Sequence, residues 1–241
     1  MQAAVSLGKR EDSTIGLIRD LRRRKTSKLL ALLLPGFHQI PNKTSLDRYP
    51  EIFAAAVAAV PEARRILSFG CSTGEECVTL ASYFPGALIV GTDINPLNLL
   101  KAMKHRNDRI RFVYAIDRIL SGFGGFDAVF CMAVLRTSKR DRIAEHYTFD
   151  RFEERALFLE SLVRPGGILV IHNGTYRFSD TAYRCAYEPI PMAAIYDKVY
   201  LPDGVTQAKP DGGFFRKLKP EDTNAMTEVR VEFKDSGVGV R

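Results

Sequence analysis

The chain has 241 residues, 46% hydrophobic and 26% charged, with a formal net charge of +7. That suits one globular α/β domain of ordinary size plus a short extension. No apolar run nears the ~18 residues of a membrane-spanning helix, so a membrane span is excluded. Four cysteines (Cys71, Cys77, Cys131, Cys185) form no C-x-x-C pair and have no histidine at zinc spacing. Reduced thiols, a cytoplasmic location and no structural metal are the expectations. The positive charge admits nucleic acid or an anionic substrate as partner. Lys and Arg are scattered outside residues 22–28, so nucleic acid is not favoured. The oligomeric state is not indicated.

Residues 1–14 are polar and charged. Residues 15–34 read as a helix broken or frayed near Thr26-Ser27. Its apolar run over 29–34, which follows Arg22-Arg23-Arg24-Lys25, is short, lies too far from Met1 for an ordinary signal peptide and reads as part of a basic amphipathic helix. A loop over 35–50 leads to an Ala-rich helix over 51–60, stopped by Pro61. Residues 1–60 are thus expected to form a helical extension placed to cover a ligand site, and residues 61–241 the main domain. Asp47, Arg48 and Tyr49 have two readings: turn and cap residues, or one wall of that site.

Residues 66–69 are a short apolar strand. A small-residue loop from Gly70 to Gly74 follows, then a helix over 75–84. Strand, glycine turn and helix make the first half of a nucleotide-binding βαβ unit. The dinucleotide fingerprint needs glycines at Gly70, Ser72 and Glu75, and two of the three are missing. Glu75 and Glu76 also stand where a pyrophosphate would sit, and like charges there are unfavourable. S-adenosylmethionine (SAM) carries a sulfonium and an ammonium but no phosphate, and suits such a loop. A second role is open to the glutamates: Thr73-x-x-Glu76 has the spacing of a capping box.

Residues 87–92 are an almost unbroken apolar run, as in a parallel strand buried on both faces. Asp93 ends it, placed to accept hydrogen bonds from ribose hydroxyls or to cap the next helix, which Asn95-Pro96 opens. A third strand covers 109–115. A fourth covers 126–131, with Asp127 in a structural role. Residues 136–146 are a charged insertion suited to a substrate loop, in which His146 is either a general base or a surface residue. An amphipathic helix spans 149–163, and Arg164-Pro165-Gly166-Gly167 turns into a fifth strand, 168–172. His172, Asn173, Tyr176, Arg177, Tyr183 and Tyr187 follow where an acceptor pocket would lie. Further strands are expected over 196–200, 213–218 and 227–233. The fold class is therefore α/β, a doubly wound Rossmann-like sheet of seven strands, mostly parallel, with a C-terminal antiparallel hairpin.

The segment Phe69-Gly70-Cys71-Ser72-Thr73-Gly74-Glu75-Glu76 resembles motif I of class I SAM-dependent methyltransferases, and most of all that of the chemoreceptor (CheR-type) enzymes. The resemblance spans about residues 66–170. It implies SAM as cofactor. Gly70, Ser72, Thr73 and Gly74 would shape the methionine pocket, Glu76 (or Glu75) would meet the ammonium, and Asp93 would hold the ribose. Ile94, Ile116 and Asp117 would surround the adenine, with Asp117 equally able to cap its helix. Cys131 and Met132 would present backbone to the cofactor. Chemoreceptor enzymes carry Cys-Arg-Asn-Val-Leu after the fourth strand. This chain keeps Cys131, Val134 and Leu135 and has Met132 and Ala133 in place of Arg and Asn. The implied activity is methyl transfer to a small-molecule acceptor. The alternatives are a non-catalytic SAM-binding or interaction module, a protein-carboxylate methyltransferase and an RNA methyltransferase. No catalytic residue is identified.

Overall fold

The computed structural model describes residues 44–137, 142–192 and 198–222. The helix expected over 15–34, part of the insertion at 136–146, part of the strand at 196–200 and the strand at 227–233 lie outside them. Among the described residues the strands are β1 (Arg65–Phe69), β2 (Leu88–Asp93), β3 (Ile110–Tyr114), β4 (Phe126–Met132), β5 (Val163–His172), β6 (Tyr187–Pro189), β7 (Val199–Tyr200), β8 (Gln207–Ala208) and β9 (Phe214–Lys217). The helices are α1 (Pro50–Ala59), α2 (Glu75–Tyr83), α3 (Pro96–Ala102), α4 (Asp117–Ser121), α5 (Ile143–His146) and α6 (Phe149–Ser161).

Seven strands join one sheet in the order β3-β2-β1-β4-β5-β9-β6. Strands β1 to β5 pair in parallel, and β9 runs antiparallel to both β5 and β6. Among the described residues the reversed element at the C-terminal side is β9, set between β5 and β6. The hairpin of β7 and β8 forms a separate small sheet. Strand β6, where the sequence placed pocket residues, is a three-residue edge ending at Pro189, and proline, with no N–H to donate, suits an edge.

Successive strand residues alternate between two cores. Ile66, Ile89, Phe130 and Ile168 face one layer with Phe53 of α1 and Leu80 of α2. Leu67, Val90, Val129 and Leu169 face the other with Phe152, Ala156 and Leu159 of α6. Strand β4 is buried at every position, as a central parallel strand covered on both faces must be. Close contact of α2 with β2 requires Gly91: a Cβ there would lie 2.6 Å from Cys77 Sγ and 2.8 Å from the Phe112 ring. Residues 44–60 pack against α2 and the same layer, burying Tyr49, Ile52, Phe53 and Ala56.

Asp127 holds the amino ends of three strands together. Its Oδ2 accepts from the backbone N–H groups of Arg64 (2.6 Å) and Arg65 (2.8 Å), and its Oδ1 pairs with Arg164. The carboxylate is 2% exposed. Asp127→Ala leaves two amide donors and a guanidinium without their acceptor. We expect it to lower unfolding free energy by about 2–3 kcal/mol, read as an earlier urea midpoint, with Asp127→Asn intermediate.

Candidate functional site

The carboxyl ends of β1 and β4 meet where the strand order reverses, the position at which open α/β sheets bind ligands. Three residues of the connecting loop take left-handed backbone: Gly70 (φ 77°), Ser72 (φ 52°) and Gly74 (φ 94°). A side chain at Gly70 would collide with Val134, and one at Gly74 would press on Phe112 at 3.0 Å. Two straps hold this loop to the end of β2. The Thr92 carbonyl accepts from Gly70 N–H (2.7 Å) and Cys71 N–H (2.9 Å). Asp93 Oδ2 accepts from Ser72 N–H (2.8 Å), while its Oδ1 accepts from Asn95 N–H (2.7 Å) and Asn98 Nδ2 (3.4 Å). Burial raises the Asp93 pKa, and these hydrogen bonds oppose the rise. The cap of α3 is Asn95, whose Oδ1 accepts from Leu97 N–H at 3.0 Å.

A cleft opens over the loop. Its floor is Gly70, Cys71, Ser72 and Glu76, with Met132 from the end of β4. Thr44, Ser45, Arg48, Tyr49 and Phe53 form the other wall. Ser72 Oγ is buried with no protein partner, so the loop keeps one unused hydroxyl beside the cleft. Glu76 does not close a capping box. Gly74 is the N-cap residue of α2 and no side chain caps it. The Glu76 carboxyl instead turns inward and accepts from Ser68 Oγ at 2.7 Å, while Thr73 Oγ1 donates to Glu75 Oε2 at 2.6 Å. Burial raises Glu76 to about 7, against the pull of Ser68 and the Arg48 charge. Ser68 was not singled out in the sequence. The signal was a lone hydroxyl in the apolar strand Arg65–Phe69, which needs a buried partner.

Arg48 and Tyr49 line the cleft, and Tyr49 is at the same time the N-cap residue of α1, so both readings of this segment are met. Arg48 sits over the Tyr49 ring at 5.0 Å, and Tyr49 meets the His172 ring edge-on at 4.8 Å. His172 ends β5 beside Met132. Burial, aided by Arg48, lowers the imidazole to about 4, so it is neutral near pH 7. Ala133 (φ 57°) and Asn173 (φ 54°) follow these two strand ends in left-handed backbone, and Ala133 N–H donates to the His172 carbonyl at 2.8 Å. Such conformations in residues other than glycine cluster at functional sites.

Other expected residues do not line this cleft. Ile94 is half-buried after β2 and does not line the cleft, and Cys131 is fully buried in the opposite layer. Asp117 opens α4 without capping it, and its carboxylate pairs with Arg155 at 2.7 Å. Tyr176 and Tyr187 belong to the α6-side core, where Tyr176 OH donates to the Tyr147 carbonyl at 2.8 Å. Tyr183 is exposed. Arg177 pairs with Asp180 at 2.6 Å. Among the described residues no cluster of His, Cys, Asp and Glu could hold a metal ion, and no helix is long and apolar enough to cross a membrane.

No family model matches the chain. A trans-aconitate 2-methyltransferase of Deinococcus radiodurans is 31% identical over 116 residues, which are 47% of this chain and 40% of that protein. The chain thus spans less than half the length of the curated relative it matches. Among solved structures, a SAM-bound amino pentose methyltransferase of Micromonospora echinaspora is 26% identical, with a TM-score of 0.42 over 53% of this chain and 50% of that one. The N-terminal domain of EvdMO1, solved in the presence of SAH and D-fucose, covers 86% of this chain and 85% of its own, at 18% identity and a TM-score of 0.38. The strand order, the reversed strand β9 and the glycine loop at the switch point together make this a doubly wound, Rossmann-like α/β fold.

Proposed function

We propose that the chain is a SAM-dependent methyltransferase acting on a small-molecule acceptor. The observation that carries this reading is the half-buried Glu76 carboxyl, turned inward on the cleft floor. A carboxyl there attracts a cationic ligand and opposes a pyrophosphate. The methionine end of SAM pairs an ammonium with a carboxylate. Glu76 receives the first and Arg48, on the facing wall, the second. Ser72 Oγ, without a protein partner, supplies a further hydrogen bond, and Gly70, Thr73 and Gly74 keep the backbone close. Asp93 takes the ribose hydroxyls with the lone pairs that its three protein donors leave over. Ile94, Ile116 and Asp117 flank the adenine. Cys131 and Met132 offer backbone beside the sulfonium. Residues 61–241 form the catalytic domain, and residues 1–60 an extension whose 44–60 end walls the cleft. A cytoplasmic location goes with the unpaired thiols.

SAM supplies an electrophilic methyl group on a good leaving thioether. The chain's task is therefore to align the acceptor and exclude water. The Tyr49–His172 pair, at the ends of the walls beside Met132, bounds the acceptor side. Support for a small acceptor comes from the trans-aconitate methyltransferase relative. A module that binds SAM without turnover is the competing reading, favoured by Met132 and Ala133, which bring no polar side chain to the transfer position. Conversion of SAM to S-adenosylhomocysteine with an acceptor panel headed by small di- and tricarboxylates separates the two, since a binding module yields none.

Two predictions test the site. Calorimetric titration is expected to give micromolar binding of SAM and S-adenosylhomocysteine and none of NADH; the reverse pattern would sink the reading. Asp93→Ala should weaken SAM about tenfold or more, from a lost charged hydrogen bond of ~1.5–3 kcal/mol and from release of the Ser72 strap. A further prediction concerns pH. Glu76 titrates near 7 in the folded protein against an ordinary 4.5. The folded state therefore holds the proton more tightly, so ligand-free stability falls as pH rises from 4.5 to 7 and is level above. SAM affinity moves oppositely, because the ammonium selects the ionised carboxylate, and rises up to about pH 7. Glu76→Gln should flatten both profiles, and a SAM profile unchanged by that substitution would remove Glu76 from the ammonium.

A further inference from the structure

Five of the eight large hydrophobic side chains exposed among the described residues fall between Leu97 and Ile119. This stretch flanks β3, an edge strand of the sheet. Helix α3 and the 3₁₀ turn that continues it, Met103–His105, have their faces arranged unusually. Asn98 and Ala102 are buried. The outward side carries Leu97, Leu100, Lys101 and Lys104, the i, i+3, i+4, i+7 spacing that marks one helix face. Leu97 is 44% exposed, Leu100 72% and, at the margin, Met103 39%. A small helix normally turns such leucines inward, so this face is apolar without a partner in the fold.

The surrounding charge is predominantly positive. Lys101, Lys104, Arg106, Arg111 and Arg118 are exposed along residues 96–121. Two acidic residues accompany them: Asp108, and Asp117, which pairs with Arg155. Arg109 is engaged differently, with its guanidinium on the carbonyls of Ala81 (3.0 Å) and Pro85 (3.1 Å). Across the edge strand, α4 repeats the combination with Ile119 (38% exposed) beside Arg118.

We propose that α3 and its 3₁₀ continuation are a docking face for an anionic lipid surface. Leucines that enter the headgroup boundary, ringed by lysines and arginines, are the make-up of an interfacial helix, and each cation near an anionic leaflet adds to the attraction. A second copy of the chain fits less well. A two-fold contact through this face would set one predominantly cationic face against another. A nucleic acid would use the cations and leave Leu100 idle.

The test is co-sedimentation of the full chain with vesicles of phosphatidylcholine, and with vesicles in which a third of the lipid is phosphatidylglycerol. Binding to the anionic vesicles is expected at least about tenfold tighter than to the neutral ones, weakening with salt. Leu100→Glu should weaken it about tenfold, and Lys101→Glu with Lys104→Glu should abolish it. All three side chains are solvent-facing, and an unchanged circular dichroism spectrum and melting curve confirm folding. Absence of binding to either vesicle overturns the proposal. So does anionic binding indifferent to Leu100→Glu, which marks plain polyanion attraction, and so does a solution dimer that Leu100→Glu dissociates. The assay reads no methyl transfer, so its outcome is independent of the enzymatic reading.

Discussion

The site depends on strapping the left-handed loop after β1 to the end of β2. Three residues in five with positive φ would not hold this shape alone, since only glycine adopts it without cost and Ser72 is not glycine. Thr92 and Asp93 supply the restraint, one through its carbonyl and the other through its carboxylate. Asp93 is thus a structural anchor before any ligand arrives, and its burial and its three donors follow from that role. The same contact sets the cleft, because the loop that it pins is the floor from which Glu76 and Ser72 face the opening.

The two ends of the sheet use carboxylates in different ways. At the amino end, Asp127 is surrounded by backbone amides and Arg164, so its charge is matched. At the carboxyl end, Glu76 receives one hydroxyl hydrogen bond from Ser68 and its pKa is raised to about 7. A half-buried acid that lacks a full set of donors is held partly neutral, ready to be ionised by a cation. Electrostatic restraint is concentrated where stability is set, and electrostatic deficit where a ligand would bind.

The wall opposite the loop is built by residues distant in sequence. Arg48, Tyr49 and His172 come from the segment before α1 and from the end of β5, and they meet because α1 packs Ile52 and Phe53 into the layer shared with α2. Left-handed Ala133 and Asn173 bend the chain away at the ends of β4 and β5, which leaves Met132 at the cleft edge. That side of the cleft is therefore a product of packing rather than of a local motif.

Local signals determined much of this protein. Unbroken apolar runs named the parallel strands, because burial on both faces leaves no polar alternation. Glycine spacing named the loop, and Asn95-Pro96 named the start of α3 through cap chemistry. The glutamates after Gly74 weigh against a pyrophosphate by charge alone. Tertiary structure decided what sequence spacing could not carry. Thr73-x-x-Glu76 has capping-box spacing, yet the carboxyl turned to Ser68, because a hydroxyl buried in β1 needed a partner more than an accessible helix end did. Tyr176 and Tyr187 lie in the region where a pocket was expected, yet the short edge strand β6 and α6 enclosed them in the core. Asp117 found Arg155 across 38 residues. Hydrogen-bond partners and burial are set by which elements meet, and that is a property of the packed sheet rather than of any stretch of chain.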